Sequence, residues 1–432
     1  MAWGARLRAL RMDLGPFREH RDFRLLLTAG TVFYLGGMMT YVAIPFQIYQ
    51  LTHSNFAVGA VGLVELVPLV VFGLYGGALA DHVDRRLLLI WTGIAQAAFT
   101  AWLCINAFSS HPALWEIFVV SGLLSSASAL QRPSREALLP RTVRHDELTA
   151  ANALSSFGMQ AGVLVGPTIG GLIVASAGPG WCFLVDIVGL FAASMMYAAM
   201  RRYPHVGETE APSLAGIGEG LRYALSRRDL LGTYVVDLAA MLLAMPVVLF
   251  PALAQKVFGD PHLLGLLYSA ETVGALLATA SSGWTRRVHH HGRAIVLAAV
   301  TYGAFIALAG WAPSIWLAVL FFTLAGAADM ISAVFRGTIW AQTIPDTLRG
   351  RLAGIEMLSY SVGPLGGQVR AGVVADRWTV RGSIVSGGVS CVAGVALTAV
   401  WLHDFWRYDE RTDEFAQAQR AARVAVAETA GP

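Results

Sequence analysis

Charge is scarce in this chain: Asp, Glu, Lys and Arg make up 14% of its 432 residues, where a soluble domain carries about a quarter. With 56% hydrophobic residues and positive mean hydropathy, that scarcity excludes a soluble globular protein and points to an integral membrane protein. Cysteine is equally sparse. Cys104, Cys182 and Cys391 stand singly in apolar runs, which excludes a disulfide framework and a thiolate metal centre and leaves core packing as their role. There is no phosphate-binding Gly-Lys-Ser loop, no zinc-ligand spacing and no nucleophile elbow, so no enzyme activity, no metal and no cofactor is expected. ATP-driven transport would need a separate motor subunit. The net charge of +3 is a topology signal and implies no nucleic-acid partner.

What the chain does have is long apolar runs. A helix needs about 20 apolar residues to cross the hydrocarbon core, and about twelve such stretches occur. They begin near Phe23, Phe56, Leu87, Leu114, Ala150, Trp181, Leu230, Leu263, Ala294, Trp316, Leu352 and Ser383. The expected fold is therefore an all-α, multi-pass membrane protein of twelve transmembrane helices. The run after Arg24 is too long for a signal-peptide core, so the first span is expected to stay in the mature protein. Alternate connections are rich in arginine, for example Arg85 with Arg86, Arg141 with Arg144, and Arg201 with Arg202, while the intervening ones hold only Lys256, Arg377 and Arg381. Basic loops are retained in the cytoplasm, which places both termini there.

The first half of the sequence returns, in order, about 206 residues further on, as in the duplicated halves of many secondary transporters. Arg21-Asp22-Phe23 matches Arg228-Asp229-Leu230, Pro45 matches Pro251, Gly59 matches Gly265, Glu65 matches Glu271, Arg132 matches Arg336, and Pro140 matches Pro345. These pairs are punctuation and charge rather than filler Leu and Ala, so they mark equivalent helix ends and buried polar positions. The expected organisation is a six-helix half over 1–202, a linker with an amphipathic helix over 203–228, a second pseudo-symmetric six-helix half over 229–405, and a cytoplasmic tail over 406–432. The Arg6–Arg11 stretch suits an interfacial helix on anionic lipid.

Ionisable residues inside a bilayer are costly and point to function. At about 1.5 Å per residue, Glu65 and Glu271 lie roughly 12 to 14 Å below the outer ends of their helices, near the midplane. Asp237, Asp329 and Asp186 are also intramembrane. All five are proton-coupling candidates, the alternative for each being a carboxylate paired with Arg or capped by backbone. Arg132 and Arg336 are coupling or gating candidates; Arg336 shares a helix face with Asp329, and Arg132 stands one turn from Glu136. Gly158, Gly162, Gly166-Pro167 and Gly170-Gly171 put small residues on one face of the fifth span, and Ser359, Gly363-Pro364, Gly367 and Ala371 repeat the pattern in the eleventh, allowing close helix approach. Tyr34, Tyr234, Tyr268 and Tyr360 sit among small or polar residues and are the substrate-binding candidates. His289–His291 is read as a solvated loop.

The loop after the second span, Gly76-Gly77-Ala78-Leu79-Ala80-Asp81-His82-Val83-Asp84-Arg85-Arg86, resembles the signature loop of the major facilitator superfamily. The resemblance implies a gating latch of Gly77, Asp81, Arg85 and Arg86; His82 and Asp84 depart from the usual Arg and Gly. The fifth-span glycines resemble the superfamily's antiporter motif. Tyr41–Ile48, Leu51–Ser54, Leu148–Leu154, Phe250–Ala254 and Gly265–Ala270 resemble the enterobactin exporter group, related to macrolide efflux proteins. That resemblance implies a monomeric exporter in the bacterial inner membrane, driven by protons, moving a small organic molecule such as a siderophore or drug-like compound, in contact with lipid and working with a periplasmic or outer-membrane export system. An importer or uniporter of the same fold and a non-transporting receptor or assembly module stay open as alternatives.

Overall fold

The computed structural model describes residues 13–203 and 222–421, with side chains outside 74–82, 286, 346–351 and 353–359. Its long helices run in chain order: α1 (Arg21–Thr52), α2 (Asn55–His82), α3 (Arg85–Phe108), α4 (Leu114–Leu138), α5 (Leu148–Ala177), α6 (Pro179–Ala198), α7 (Arg228–Ala244), α8 (Leu264–Ala280), α9 (His291–Trp311), α10 (Ile315–Thr343), α11 (Asp346–Arg377) and α12 (Val380–Trp401). Among the described residues there is no strand, and eleven of these helices, some with flanking turns, are long and apolar enough to cross a membrane. The expected count of twelve is not reached by that measure. α11 has the length, 32 residues, but its described part carries Arg370, Asp376 and Arg377. The expected helix over Arg6–Arg11, most of the 203–228 linker and the end of the tail lie outside the described residues.

Local sequence explains the breaks. Gly178, with φ of 94°, adopts a backbone conformation that favours glycine, and Pro179 then opens α6, so α5 and α6 meet at a sharp corner. Asp84 caps α3 by accepting the Arg86 and Leu87 amides, and Ser314 and Thr379 cap α10 and α12. Pro246 comes one residue after the Met245 C-cap of α7, and the chain continues through short turns to Val257.

Side chains that would be anomalous in water lie on the outside. Trp311, Val400 and Ile105 are 77%, 75% and 72% exposed, and Trp115, Trp181, Trp316 and Trp378 stand exposed at helix ends. Such a surface suits hydrocarbon with tryptophans at the interface. The three cysteines are free and buried.

The chain separates into two compact units, Met1–Gln47 with Val67–Ala211, and Ile48–Leu66 with Pro212–Pro432. In the first, Asp22 at the start of α1 accepts hydrogen bonds from the Tyr203 hydroxyl at 2.7 Å and the Arg201 amide at 3.2 Å, so it holds the segment after α6. In the second, the repeat-equivalent start of α7 does the same job with Arg228, which pairs with Asp404 after α12 at 2.5 Å. The recurring Arg-Asp pair thus closes each copy onto itself. In the second unit the segment Ile48–Leu66 packs on α11: a Cβ on Gly59, Gly62 or Gly372 would lie 2.5 Å from Gln368 O, 2.6 Å from Leu365 O or 2.3 Å from Asn55 O.

One expectation for the second unit is corrected: His289–His291 is not simply a solvated loop, because the described part of the segment after α12 packs against it. His291 is buried at the start of α9 between Phe335 and Tyr408, and His289 Nδ1 lies 2.8 Å from Glu410 Oε1. Gln342 donates to the same carboxylate at 2.7 Å, and the Phe405 ring presses on Gly232. Hydrogen bonds from Arg411 hold the Asp409 carboxyl well below its ordinary 3.8, against the opposing effect of burial. For Glu410, burial pushes up, but the hydrogen bonds from His289 and Gln342 and the charge of His291 outweigh it, so the net shift is below 4.5. Because Glu410 is lowered by partners from other segments, its contribution to docking is complete above its ordinary value and is lost as pH falls through the lowered one, whereas Asp409 is lowered mainly by its own neighbour Arg411. Glu410→Gln removes a charged acceptor, and amide exchange at Tyr408 and Glu410 is expected to rise about tenfold at neutral pH. In the unaltered protein the same rise should appear only in acid.

Candidate functional site: a buried ion-pair centre

α7 and α10 bring together charges that lie far apart in sequence. Arg336 on α10 is 2% exposed, Asp237 on α7 is 1% exposed, and their Arg336 Nη2 to Asp237 Oδ1 distance is 2.9 Å. One turn back along α10, Ser332 accepts from Arg336 Nη1 at 2.9 Å. Two turns back, Asp329 Oδ1 stands 4.0 Å from Arg336 Nη2, with a side chain 37% exposed. Arg336 Nε is buried with no hydrogen-bond partner among the described residues. A guanidinium can donate five N–H bonds, so Arg336 is shared between one enclosed and one accessible carboxylate and has donor capacity left over.

The third acid nearby is Glu271 on α8. Its Oε1 is buried with no hydrogen-bond partner among the described residues, and it lies within electrostatic reach of Asp329. Tyr302 on α9, fully buried and donating to Ala244 O at 3.3 Å, is within reach of Glu271, Asp329 and Asp237 alike. The centre is floored by aromatics. Trp340, one turn after Arg336, stacks on Tyr234 at 5.3 Å, meets Tyr360 edge-on at 6.0 Å and donates to Thr233 at 2.8 Å.

Four sequence candidates, Asp237, Asp329, Arg336 and Glu271, therefore gather in one place, with Tyr234 and Tyr360 beside them. Others do not. Glu65 is half-buried on α2. Asp186 fills a notch between α6 and α1 left by Gly36, accepting from Thr40 at 2.5 Å. Tyr268 is buried edge-on against Phe250 at 5.1 Å. Arg132, the repeat partner of Arg336, is on the surface and pairs with Glu136 at 3.0 Å, so equal sequence depth does not give equal burial.

Of the latch residues, Gly77 and Asp81 lie outside the described side chains. Arg86 donates to Tyr197 O at 3.0 Å and to Ala198 O, and Arg85 reaches Ala137 O at 3.5 Å. The fifth-span glycines pack on α1: a Cβ on Gly158, Gly162, Gly166 or Gly170 would come within 2.3 to 2.9 Å of Thr31, Tyr34, Met38 or Met39. Pro167 and Gly171 are buried in the same helix. Gly363 and Gly367 seat α11 on α7 in the same manner, both against Met241.

Sequence reasoning missed Asp376. At the end of α11 it accepts from Ser54 Oγ at 2.6 Å, from the Asn55 amide and side chain at 2.8 Å each, and from the Phe56 amide at 2.9 Å. It thereby caps α2 from another helix, satisfying amides that a helix start leaves open. The signal was an Asp near a helix end, but its partners are more than 300 residues away. Asp376→Ala is expected to raise amide exchange at Asn55 and Phe56 at least tenfold, since losing a cap costs about 0.5 to 2 kcal/mol and these bonds are to a charge. Asp376→Asn should keep part of the protection.

A many-helix membrane chain of this fold, with charge buried among its spans, is a membrane transporter and not an enzyme. A family model described as transmembrane secretion effector matches residues 12–431, and the chain belongs to that family. It is 25% identical over 393 residues to the enterobactin exporter EntS of Salmonella typhi, covering 90% of this chain and 94% of the relative. It is 26% identical over 394 residues to EntS of Escherichia coli O1:K1 / APEC, with the same coverage. Among solved structures, a bacterial homolog of the human lysosomal transporter Spinster aligns with a TM-score of 0.68 at 14% identity, over 92% of this chain and 96% of that one. A POT family transporter in complex with 5-aminolevulinic acid aligns with a TM-score of 0.71 at 12% identity, over 89% and 97%. These structures share the fold.

Proposed function

We propose that the protein is a proton-coupled exporter of a small organic molecule in the bacterial inner membrane, with both termini cytoplasmic and two pseudo-symmetric halves working by alternating access. The observation that carries this reading is the Asp237–Arg336–Asp329 centre. A guanidinium between an enclosed and an accessible carboxylate gives a proton two distinguishable consequences: protonating Asp329 tightens Arg336 on Asp237, and protonating Asp237 releases Arg336 towards Asp329. Moving one proton thereby repositions a charge on α10, next to the Tyr234–Trp340–Tyr360 cluster that is the substrate-binding candidate. Tyr34 belongs to the corresponding part of the first unit, while Glu271 is the further proton carrier of the second.

Similarity to EntS supports export of a siderophore or drug-like compound, and the close packing of the fifth-span glycines on α1 is compatible with an antiporter seal. In right-side-defined vesicles holding the purified protein, a pH gradient should drive accumulation of such a compound against its own gradient. It should also acidify or alkalinise the lumen in step with flux. Equal flux with and without the gradient would leave a uniporter.

A further inference from the structure

The first unit has its own guanidinium, and the duplication says what is missing beside it. Asp237 of α7 corresponds in the repeat to Gly30 of α1. In the second unit that position supplies the carboxylate that neutralises Arg336. In the first unit Gly30 has no side chain, and the arginine next to it is Arg135: a Cβ placed on Gly30 would lie 3.7 Å from Arg135 Cδ and 3.9 Å from its Nη1. Arg135 has no carboxylate within ion-pair distance among the described residues. Its guanidinium lies over the Tyr34 ring at 4.4 Å, donates to the Tyr34 hydroxyl, and is 5.9 Å from the Phe33 ring. The neighbouring Glu136 is occupied by Arg132.

Gly30, Tyr34 and Arg135 open onto a cavity of about 300 Å³ whose opposite wall is α5, with Asn152, Ser155 and Ser156 facing in. Those three side chains make no hydrogen bond among the described residues. The remaining wall includes Leu26, Leu27, Leu139 and Met159 together with the Arg132–Glu136 pair, whose carboxylate is already neutralised by Arg132. A partly enclosed cation wants an anion, and a guanidinium binds a planar oxyanion through two parallel N–H bonds. The Tyr34 ring and an aliphatic wall beside it suit a flat ring.

We propose that this cavity is an oxyanion subsite of the transport pathway, in which Arg135, levelled by Tyr34, takes the carboxylate or ionised phenol of an aromatic acid and Asn152, Ser155 and Ser156 complete its hydrogen bonds. The ligand stands where the second unit has Asp237, so one copy of the repeat carries its counter-charge and the other receives it. The subsite rests on the transport reading above for its place in a pathway, but binding itself needs no gradient.

The test is equilibrium binding of naphthoate and of its neutral isostere naphthamide to the full-length protein in lipid nanodiscs near neutral pH, corrected for empty discs. One bidentate charged bond should make the acid bind about 10- to 100-fold tighter than the amide. Arg135→Gln should bring the two to parity, and Arg135→Lys should keep an intermediate preference. Gly30→Asp is the more telling variant: the position has room for a Cβ, and the added carboxylate should pair with Arg135 internally and exclude the acid while leaving the amide unaffected. An ionised phenol probe, naphtholate against its methyl ether at raised pH, separates the two oxyanions; parity there with preference for naphthoate narrows the subsite to carboxylates. Acid preference that survives Arg135→Gln or Gly30→Asp, or no preference in the unaltered protein, overturns the proposal. Preference without gradient-driven flux would remove the coupling reading alone, and gradient-driven flux without preference would remove the subsite alone.

Discussion

Asp237→Asn is expected to abolish the response of efflux to a pH gradient, with flux in vesicles becoming the same whether or not the gradient is imposed. The substitution keeps the shape of the side chain and removes its charge, so Arg336, 2% exposed, loses the anion 2.9 Å away and, among the described residues, keeps Asp329 at 4.0 Å. Removing one partner of a buried pair costs about 3 to 5 kcal/mol, because the other charge stays buried and uncompensated. A fall in thermal stability should accompany the loss of coupling. The two effects separate in the double variant Asp237→Asn with Arg336→Gln. Taking both charges out removes the stranded guanidinium, so most of the stability should return, while gradient stimulation should not. Gradient-stimulated efflux in Asp237→Asn, at the rate of the unaltered protein, would take Asp237 out of the coupling. A double variant no more stable than the single would mean that the pair does not hold the fold as its geometry implies.

The membrane class and the helix positions were legible because apolar length is a one-dimensional property. The charged centre was half legible. Asp237, Asp329, Glu271 and Arg336 stood out because charge is rare in such a chain, and Asp329 with Arg336 could be placed on one face by counting turns. That Asp237 meets Arg336 depends on how α7 lies against α10, which residue spacing does not encode. The duplication misled at Arg132, which matches Arg336 in sequence yet lies exposed beside Glu136, while Arg135, three residues on, turns inward to Tyr34. It informed at Gly30, where the broken match marks the place of a missing counter-charge. Asp376 and the His289–Glu410 contact were hidden for the same reason: polar groups at helix ends are ordinary in sequence, and only the fold reveals that their partners come from distant segments.

Gly326→Ala is expected to be among the most destabilising single-methyl changes in the molecule. Its Cβ would lie 2.0 Å from Glu271 O and 2.6 Å from Glu271 Cα, and a Cβ on Gly274 across the same seam would lie 1.8 Å from Thr323 O. Both obstacles are backbone, so no rotamer change relieves them, and α8 and α10 must separate. Overpacking typically costs about 1 to 3 kcal/mol, and with only backbone to yield the upper end or beyond is expected. The functional cost should be larger still. Glu271 is itself the residue in contact, and Asp329 follows Gly326 by less than one turn, so spreading the seam moves two acids of the charged centre relative to each other. Gly337→Ala, on the same helix, is the control: nothing lies within 4 Å of its added Cβ, and alanine favours helix over glycine by up to about 1 kcal/mol. Thermal unfolding in detergent should place Gly326→Ala and Gly274→Ala well below the unaltered protein and Gly337→Ala level with it or above. Equal stability of Gly326→Ala and Gly337→Ala would mean that the α8–α10 seam is looser than these distances allow, and that the acids it carries are not held at a fixed separation.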